Sequence, residues 1–411
     1  MMGREHPAGV AVTGLGLVSP HGQAPDAVFD ALLRGESAIR PVFPELAKPA
    51  LAATAAFDPA PWFSKLQLAG VDRVSQMALA AAELALDDAG LQGPWDAEGG
   101  ERVGVYVGCG MGGAAALEAA YRGGASGRVP PLTIPAFMPN APASHIAMRR
   151  KVLGPVLTYS VACASSAIAI AEAARAIESG EVDLAIAGGS EALIVPGVMM
   201  AWQAMQTLAS AEPGEAATAV RPFAADRSGF ALGEGAAFLV LESPQRAAAR
   251  GARSYARLAG WGNSCDASHL TKPDAAGQAR ALRAALRKAG LLPAQVGYCN
   301  AHGTATRIGD PIECEALAQV WGDALPQLRV SSTKALHGHL LGAAGALEAL
   351  ITVMALHRQA LPPNMHVDEP DPACALSLVR PDDTAAPALQ AAISSSFAFG
   401  GTNAALLFER A

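Results

Sequence analysis

Short apolar runs with strand character alternate along the whole chain with Ala-rich stretches of helical length, and this alternation limits the fold more than any other feature. The runs VAVTGLGLV (10–18), RVGVYVG (102–108), VLTYSVA (156–162), DLAIAGG (183–189) and AAFLVLE (236–242) predict strands. Between them, QMALAAAELALDDAG (76–90) and SSAIAIAEAARAIES (165–179) consist of strong helix formers and predict helices. The expected architecture is α/β, with helices covering sheets that are at least partly parallel.

A second pattern repeats inside the first. LALDDAGL (84–91) precedes VGVYVGCGMGG (103–113), and AALRKAGL (284–291) precedes VGYCNAHGTAT (296–306). The stretch VLTYSVACASSAIAIAEAARAI likewise has a counterpart in LRVSSTKALHGHLLGAAGALEALITVMAL (328–356). Two copies of one α/β unit packed together would set matching turns face to face at a shared centre. No low-complexity linker separates the halves, so they are expected to form one rigid body divided into residues 1–255 and 256–411.

With 411 residues, 51% of them hydrophobic and 16% charged, the chain can bury a large core. A formal net charge of −7 provides no attraction to nucleic acid or anionic lipid. Six scattered cysteines without a CxxC pair argue against a disulfide framework or a zinc site and point to the reducing cytosol. The opening MMGREHPAG is polar and runs into a Gly-broken apolar segment too short for a signal peptide. The apolar stretch GAAGALEALITVMAL carries Glu348, and no uncharged run reaches membrane-spanning length. A soluble, cytoplasmic protein with no nucleic-acid or membrane partner is expected.

The chemistry concentrates at a few turns. Cys163 lies between a strand and an Ala-rich helix, where unpaired N–H groups and the helix dipole favour a thiolate. An isolated cysteine is more often buried and inert, but its small neighbours Ala162, Ala164, Ser165 and Ser166 leave room for a substrate. His302 in NAHGTATRIGDPIE and His339 in KALHGHLLGAAGALEA occupy Gly-rich turns of the second half. Either imidazole alone would more often be structural; two converging on a thiolate could polarise a thioester carbonyl or hold a departing carboxylate. His337 is read as outside the site. SSSFAFGGTNAALLF reads as a hairpin, and Asp226, Arg227 and Glu234 as structural ion-pairing groups. GCGMGG (108–113) is not read as a phosphate loop.

VACASS, NAHGTATRIGDPIE, KALHGHLLGAAGALEA, SFAFGGTN and RPFAADRSGFALGEGA, in that set and over essentially the whole chain, resemble the β-ketoacyl-acyl carrier protein synthases of the thiolase superfamily, nearest to the type I/II elongating enzymes. The resemblance implies a duplicated five-layered αβαβα fold, a homodimer or a heterodimer with a related subunit, and acyl carrier protein as partner. It implies an acyltransferase in which Cys163 carries the acyl group, while His302 and His339 promote decarboxylation of malonyl carrier protein and stabilise the enolate. The backbone N–H groups of Cys163 and Phe399 match the oxyanion hole, and Lys334 and Glu348 match its supporting groups. Thr304, Thr306 and, less closely, Thr271 match residues that bind the phosphopantetheine arm. Phe399 matches the gating aromatic beside Phe397, and Met111 falls where the family lines its acyl pocket. Neither a metal nor a redox cofactor is implied.

The sequence also departs from the family. The segment WFSKLQLAGVDR (62–73) keeps Lys65 and Arg73 of a basic carrier-docking cluster but places Leu66, Leu68 and Ala69 between them, with Arg122, Arg128, Arg149, Arg150 and Lys151 as other available cations. Arg307 stands where proline is frequent. Ala398 stands where glycine is usual, which predicts a stiffer gate. Two alternatives share the fold: a thiolase, which would need a second catalytic cysteine in the C-terminal Gly turn, and a non-catalytic chain-length-factor-like subunit, which would lose the nucleophile.

Overall fold

The computed structural model describes residues 9–48, 50–124, 126–212 and 214–411; the polar run at 1–8 lies outside them. The strands of the main sheet are β1 (Val10–Val18), β2 (Val103–Gly108), β3 (Val156–Tyr159), β4 (Leu184–Glu191), β5 (Gly235–Glu242), β6 (Ala256–Cys265), β7 (Tyr298–Asn300), β8 (Arg329–Ser331), β9 (Ser377–Leu378), β10 (Ala391–Phe397) and β11 (Thr402–Arg410). The principal helices are α1 (Arg73–Asp88), α2 (Ala141–Arg150), α3 (Ser165–Glu178), α4 (Ala275–Ala289), α5 (Gly309–Trp321) and α6 (Ala344–Arg358).

The duplication is plain in the strand order. One half runs β3-β2-β4-β5-β1 and the other β8-β7-β10-β11-β6, with β9 added outside β8. In each half the two outer pairings, β3 with β2 and β2 with β4 or β8 with β7 and β7 with β10, are parallel, and the two inner ones are antiparallel. The halves join where Val10–Val12 of β1 run antiparallel to Ala256–Leu258 of β6. Helices α1 and α2 cover the outer face of the first half, and α4, with α5 beside it, covers that of the second. Between the two half-sheets lie α3 and α6, packed on each other and on strands of both halves. This is the five-layered arrangement.

Both outer helices lie close on their strands by the same means. A Cβ at Gly14 or Gly16 of β1 would stand 2.2 Å from the carbonyl of Ala85 or Ala81 in α1. Gly260 and Gly262 of β6 would meet Ala285 and Ala281 of α4 at 2.2 and 1.9 Å. Glycine against alanine at matching positions lets backbone touch backbone, which explains the scarcity of large side chains here. Side-chain caps start both helices: Asp72 accepts from Val74 N–H, and Asp274 from Ala276 and Gly277 N–H.

Helix α6 is buried on all sides, with 13 of its 15 residues in the core. By length and composition Leu341–Arg358 would pass for a membrane span, but 89% of that window is buried inside the protein, as a central-layer helix must be.

Two expected boundaries move. Helix α1 begins at Arg73 rather than 76 because Asp72 caps it. The strand expected at 156–162 ends at Tyr159, since the Val161 N–H that would extend the ladder donates to Ser165 Oγ at 2.9 Å.

Gly16→Val and Gly262→Val should each lower stability by about 2–3 kcal/mol in urea unfolding, the scale of overpacking a close contact. Gly124→Ala, with nothing within 4 Å of its added Cβ, should leave the midpoint unchanged. Equal midpoints for all three would show that the close approach does not hold the layers.

Candidate active site

After Tyr159 the chain turns through a 3₁₀ segment, Ala162–Ala164, into α3. Ala162 has φ 49°, a left-handed conformation that alanine seldom adopts. Ser165 Oγ locks this turn, accepting from Val161 N–H at 2.9 Å and donating to the Ala162 carbonyl at 2.6 Å. The turn sets Cys163 into the wall of a cavity of about 660 Å³. The second half repeats it: Leu341 has φ 47°, and Leu341–Ala343 forms the 3₁₀ entry to α6.

His339 stands just before this second turn, with Nε2 3.1 Å from Cys163 Sγ. The Leu341 N–H points at Nδ1 from 3.3 Å, which leaves the proton on Nε2 and makes the imidazole a donor towards the sulfur. His302 follows β7, its ring edge-on to that of His339 with centroids 5.4 Å apart. One nitrogen of each imidazole and the sulfur lie within 4.8 Å of one another. Among the described residues this is also the trio whose donor atoms a soft divalent ion could share.

Both ends of the His302 peptide are clamped. Its N–H donates to Glu313 Oε1 at 2.8 Å and its carbonyl accepts from Lys334 Nζ at 2.6 Å, while Glu313 Oε2 takes the Gly303 N–H at 2.7 Å. Lys334 pairs with Glu348, both fully buried. Neither lines the cavity; they act through His302.

Burial decides the charge state. Burial first, then the cationic Lys334, hold both imidazoles well below their usual 6.5, so both are neutral at neutral pH. Burial also pushes the Cys163 thiol up to about 12, against the pull of Lys334. The thiolate expected from the helix N-terminus is therefore not the resting form: desolvation outweighs the backbone dipoles. Burial raises the Glu348 carboxyl to about 7, with Lys334 opposing.

The cavity gathers Cys163, His302, His339, Thr271, Thr304, Thr306, Phe397 and Phe399. The Thr304 and Thr306 hydroxyls bond each other at 3.1 Å. Phe399 stacks on Trp202 with centroids 6.2 Å apart, and its backbone N–H, like that of Cys163, has no carbonyl partner among the described residues. Met111 is not brought in: it is 52% exposed and outside this cavity in the single chain. His337 is spent on Thr333 Oγ1 and the Gly338 carbonyl. Ala398 is not among the residues of positive φ, which in that loop are Gly400 (88°) and Gly401 (77°), so alanine sits there without backbone strain.

Three of the seven cations read as possible docking groups form ion pairs within the chain. Arg73 pairs with Glu234 and the buried Arg150 with Glu83, while Arg122 pairs with Glu118 but stays 67% exposed. Leu66, by contrast, is 87% exposed. Sequence reasoning missed Trp202, Phe230 and Glu313. Trp202 carries no local signal, whereas Phe230 sits inside RPFAADRSGFALGEGA and Glu313 inside the GDPIE motif that drew attention to His302.

Known proteins resemble the chain over nearly its whole length. Residues 8–247 match the model of the beta-ketoacyl synthase N-terminal domain, and 255–368 that of the C-terminal domain. The 3-oxoacyl-[acyl-carrier-protein] synthase 2 of Vibrio cholerae is 38% identical, with 98% of this chain and 99% of the relative aligned. The crystal structure of a beta-ketoacyl synthase from Burkholderia phymatum matches with a TM-score of 0.90 at 36% identity, covering 98% of this chain and all of the other. The ishigamide ketosynthase/chain length factor matches with a TM-score of 0.90 at 32% identity over the same shares.

For a thiol held near 12, each unit of rise in pH below that value gives tenfold more thiolate. Iodoacetamide labelling of Cys163, followed by peptide mapping to separate it from the exposed Cys265, should therefore accelerate about tenfold per unit from pH 7 to 9. A plateau below pH 8 would mean that the thiol is already ionised at rest.

Proposed function

Because the chain belongs to the β-ketoacyl synthase family and is a condensing acyltransferase, we propose that it extends a fatty-acyl or polyketide chain by decarboxylative Claisen condensation of an acyl thioester on Cys163 with malonyl-acyl carrier protein. The observation that carries this reading is the meeting of one sulfur and two imidazoles within 4.8 Å in the cavity wall. In the first half-reaction Cys163 Sγ attacks the incoming thioester, and its proton leaves on the departing carrier thiol. The unpaired N–H groups of Cys163 and Phe399 are suited to the oxyanion. In the second, malonyl carrier protein loses carbon dioxide. Neutral His302 and His339 donate to the enolate oxygen, and its carbon attacks the acyl group, releasing Cys163 to take up a proton. Neutral imidazoles suit this role, since they donate a hydrogen bond without holding the carboxylate as an ion pair.

The arm that delivers these groups would lie along Thr271, Thr304 and Thr306, with Phe399 at the acyl end. Lys334 and Glu348 hold His302 in place. No metal or redox cofactor enters the scheme, because thioester cleavage and decarboxylation supply the driving force. The acyl carrier protein is the natural partner, and the name of the Vibrio relative includes it. A second synthase-like chain, identical or related, is favoured by the unpaired edge strand β3, where Val156 and Leu157 are 36% and 46% exposed. Such a chain could cover Met111. Six free cysteines fit a reducing, cytoplasmic setting.

The two alternatives lose ground. Cys163 is the one cysteine lining the cavity, where a thiolase needs two, and a chain-length-factor-like subunit would not keep Cys163, His302 and His339 in contact.

Cys163→Ser should abolish condensation, since a serine hydroxyl stays protonated where a thiol can ionise. His302→Ala and His339→Ala should each slow carbon dioxide release from malonyl carrier protein by about 10²–10³ while acylation of Cys163 survives in part. Wild-type release rates in either variant would remove that histidine from the reaction.

A further inference from the structure

The cavity opens to solvent where its lining residues become exposed. Leu270 is 72% exposed, Ile308 60% and Met205 45%, and Lys272 and Arg307 lie beside the first two. The cavity has two other charged lining residues, Asp310 and Glu313, both buried and occupied with backbone N–H groups of Phe223, His302 and Gly303. The mouth itself therefore carries two positive charges and no negative one, on a chain whose net charge is −7.

Neither cation is spent within the protein. Among the described residues, the side chains of Lys272 and Arg307 make no ion pair or hydrogen bond, although Asp274 and Asp310 stand two and three positions from them in sequence. Both are engaged: Asp274 caps α4, and Asp310 accepts the Phe223 N–H. The backbones that carry the two cations are, by contrast, held firmly. Arg227, buried to 4% exposure, donates to the Thr306 carbonyl at 2.9 Å and to the Arg307 carbonyl at 3.1 Å. The Leu270 carbonyl accepts the Gly400 N–H at 2.7 Å, and the Thr271 N–H donates to His269 Nδ1 at 3.1 Å. Two unpaired cations on pinned loops, at the open end of a cavity whose wall carries four threonines, form a receptor for an anion.

We propose that Lys272 and Arg307 recognise the phosphate of a pantetheine-linked thioester as its arm passes into the cavity towards Cys163. This rests on the condensing reading above and adds to it the group that determines how the arm is seated. An arginine supplies a planar fork for two phosphate oxygens and a lysine a mobile point charge, so the pair accepts either a carrier-borne phosphodiester or the phosphate end of a free arm.

The test separates this proposal from the reading beneath it by measuring binding, which needs no turnover. Equilibrium binding of 4′-phosphopantetheine and of pantetheine to the full chain should differ about tenfold in favour of the phosphorylated arm, the scale of one charge-assisted hydrogen bond. High salt should erode that ratio. In the double variant Lys272→Ala/Arg307→Ala the ratio should fall to about one, and Lys272→Glu/Arg307→Glu should reverse it. A ratio of two ligands cancels any general loss of folded protein. Malonyl-coenzyme A and malonyl carrier protein, compared as donors for wild type and double variant, show which source of phosphate the site serves; a rise in KM for either one accords with the proposal. Equal binding of the two arms by the wild type, or an unchanged ratio in the double variant, overturns it, even if condensation proceeds. Absence of condensation with a clear phosphate preference would instead overturn the condensing reading and leave the phosphate site standing.

Discussion

The contact on which the rest depends is the crossing of α3 and α6 at their N-terminal ends. A Cβ at Gly345 would lie 2.8 Å from Ala167 Cβ, and the Ala346 N–H donates to Ser166 Oγ at 2.9 Å. Gly108 at the end of β2 lies equally close, where a Cβ would be 2.2 Å from Ser166 N. Any side chain at these glycines would push the central layer apart. Because both helices begin at this crossing, the turns that lead into them face each other. That is why Cys163 and His339, 176 positions apart, come within 3.1 Å.

Around that crossing the loops are held by buried carboxylates rather than by sheet or helix bonds. Glu191 takes the N–H groups of Gly110, Met111 and Gly342, tying a turn of the first half to a turn of the second. Glu313 does the same for His302 and Gly303, and Asp310 for Phe223. Orphan N–H groups in a buried loop are costly, and a carboxylate oxygen satisfies them strongly. The desolvation penalty shows in the carboxyls themselves, with Glu191 and Asp310 both pushed up to about 7 by burial. The same desolvation keeps the imidazoles neutral and the thiol protonated, so one physical effect sets the resting state of the whole site.

Much of this was legible before any coordinates. Strand β1 and the hairpin β10–β11 lie where their apolar runs put them, because a buried strand needs only a short apolar stretch between turn residues. The repeat signalled by two AGL endings became two half-sheets of matching order. The candidate trio was named from a strand-to-helix turn at Cys163 and Gly-rich turns at His302 and His339, and all three side chains meet. What failed did so for physical reasons. Dipole reasoning about Cys163 ignored burial, which is a property of the surroundings and not of the VACASS segment. Arg73 and Arg150 were counted among the available cations, but their partners Glu234 and Glu83 lie 161 and 67 positions away.

By itself, then, the sequence determined which segments become strands and helices, that the chain is built twice over, and which three side chains were candidates to meet in the cavity wall. Local composition is enough for these, since periodicity, glycine placement and motif spacing are written within a few turns of chain. The tertiary structure alone decided the charge of the thiol and imidazoles, the commitment of Arg73 and Arg150, and the freedom of Lys272 and Arg307 at the cavity mouth. Those depend on which distant group lies alongside and how much water is excluded. Desolvation and pairing are set by neighbours in space, which a linear chain does not name.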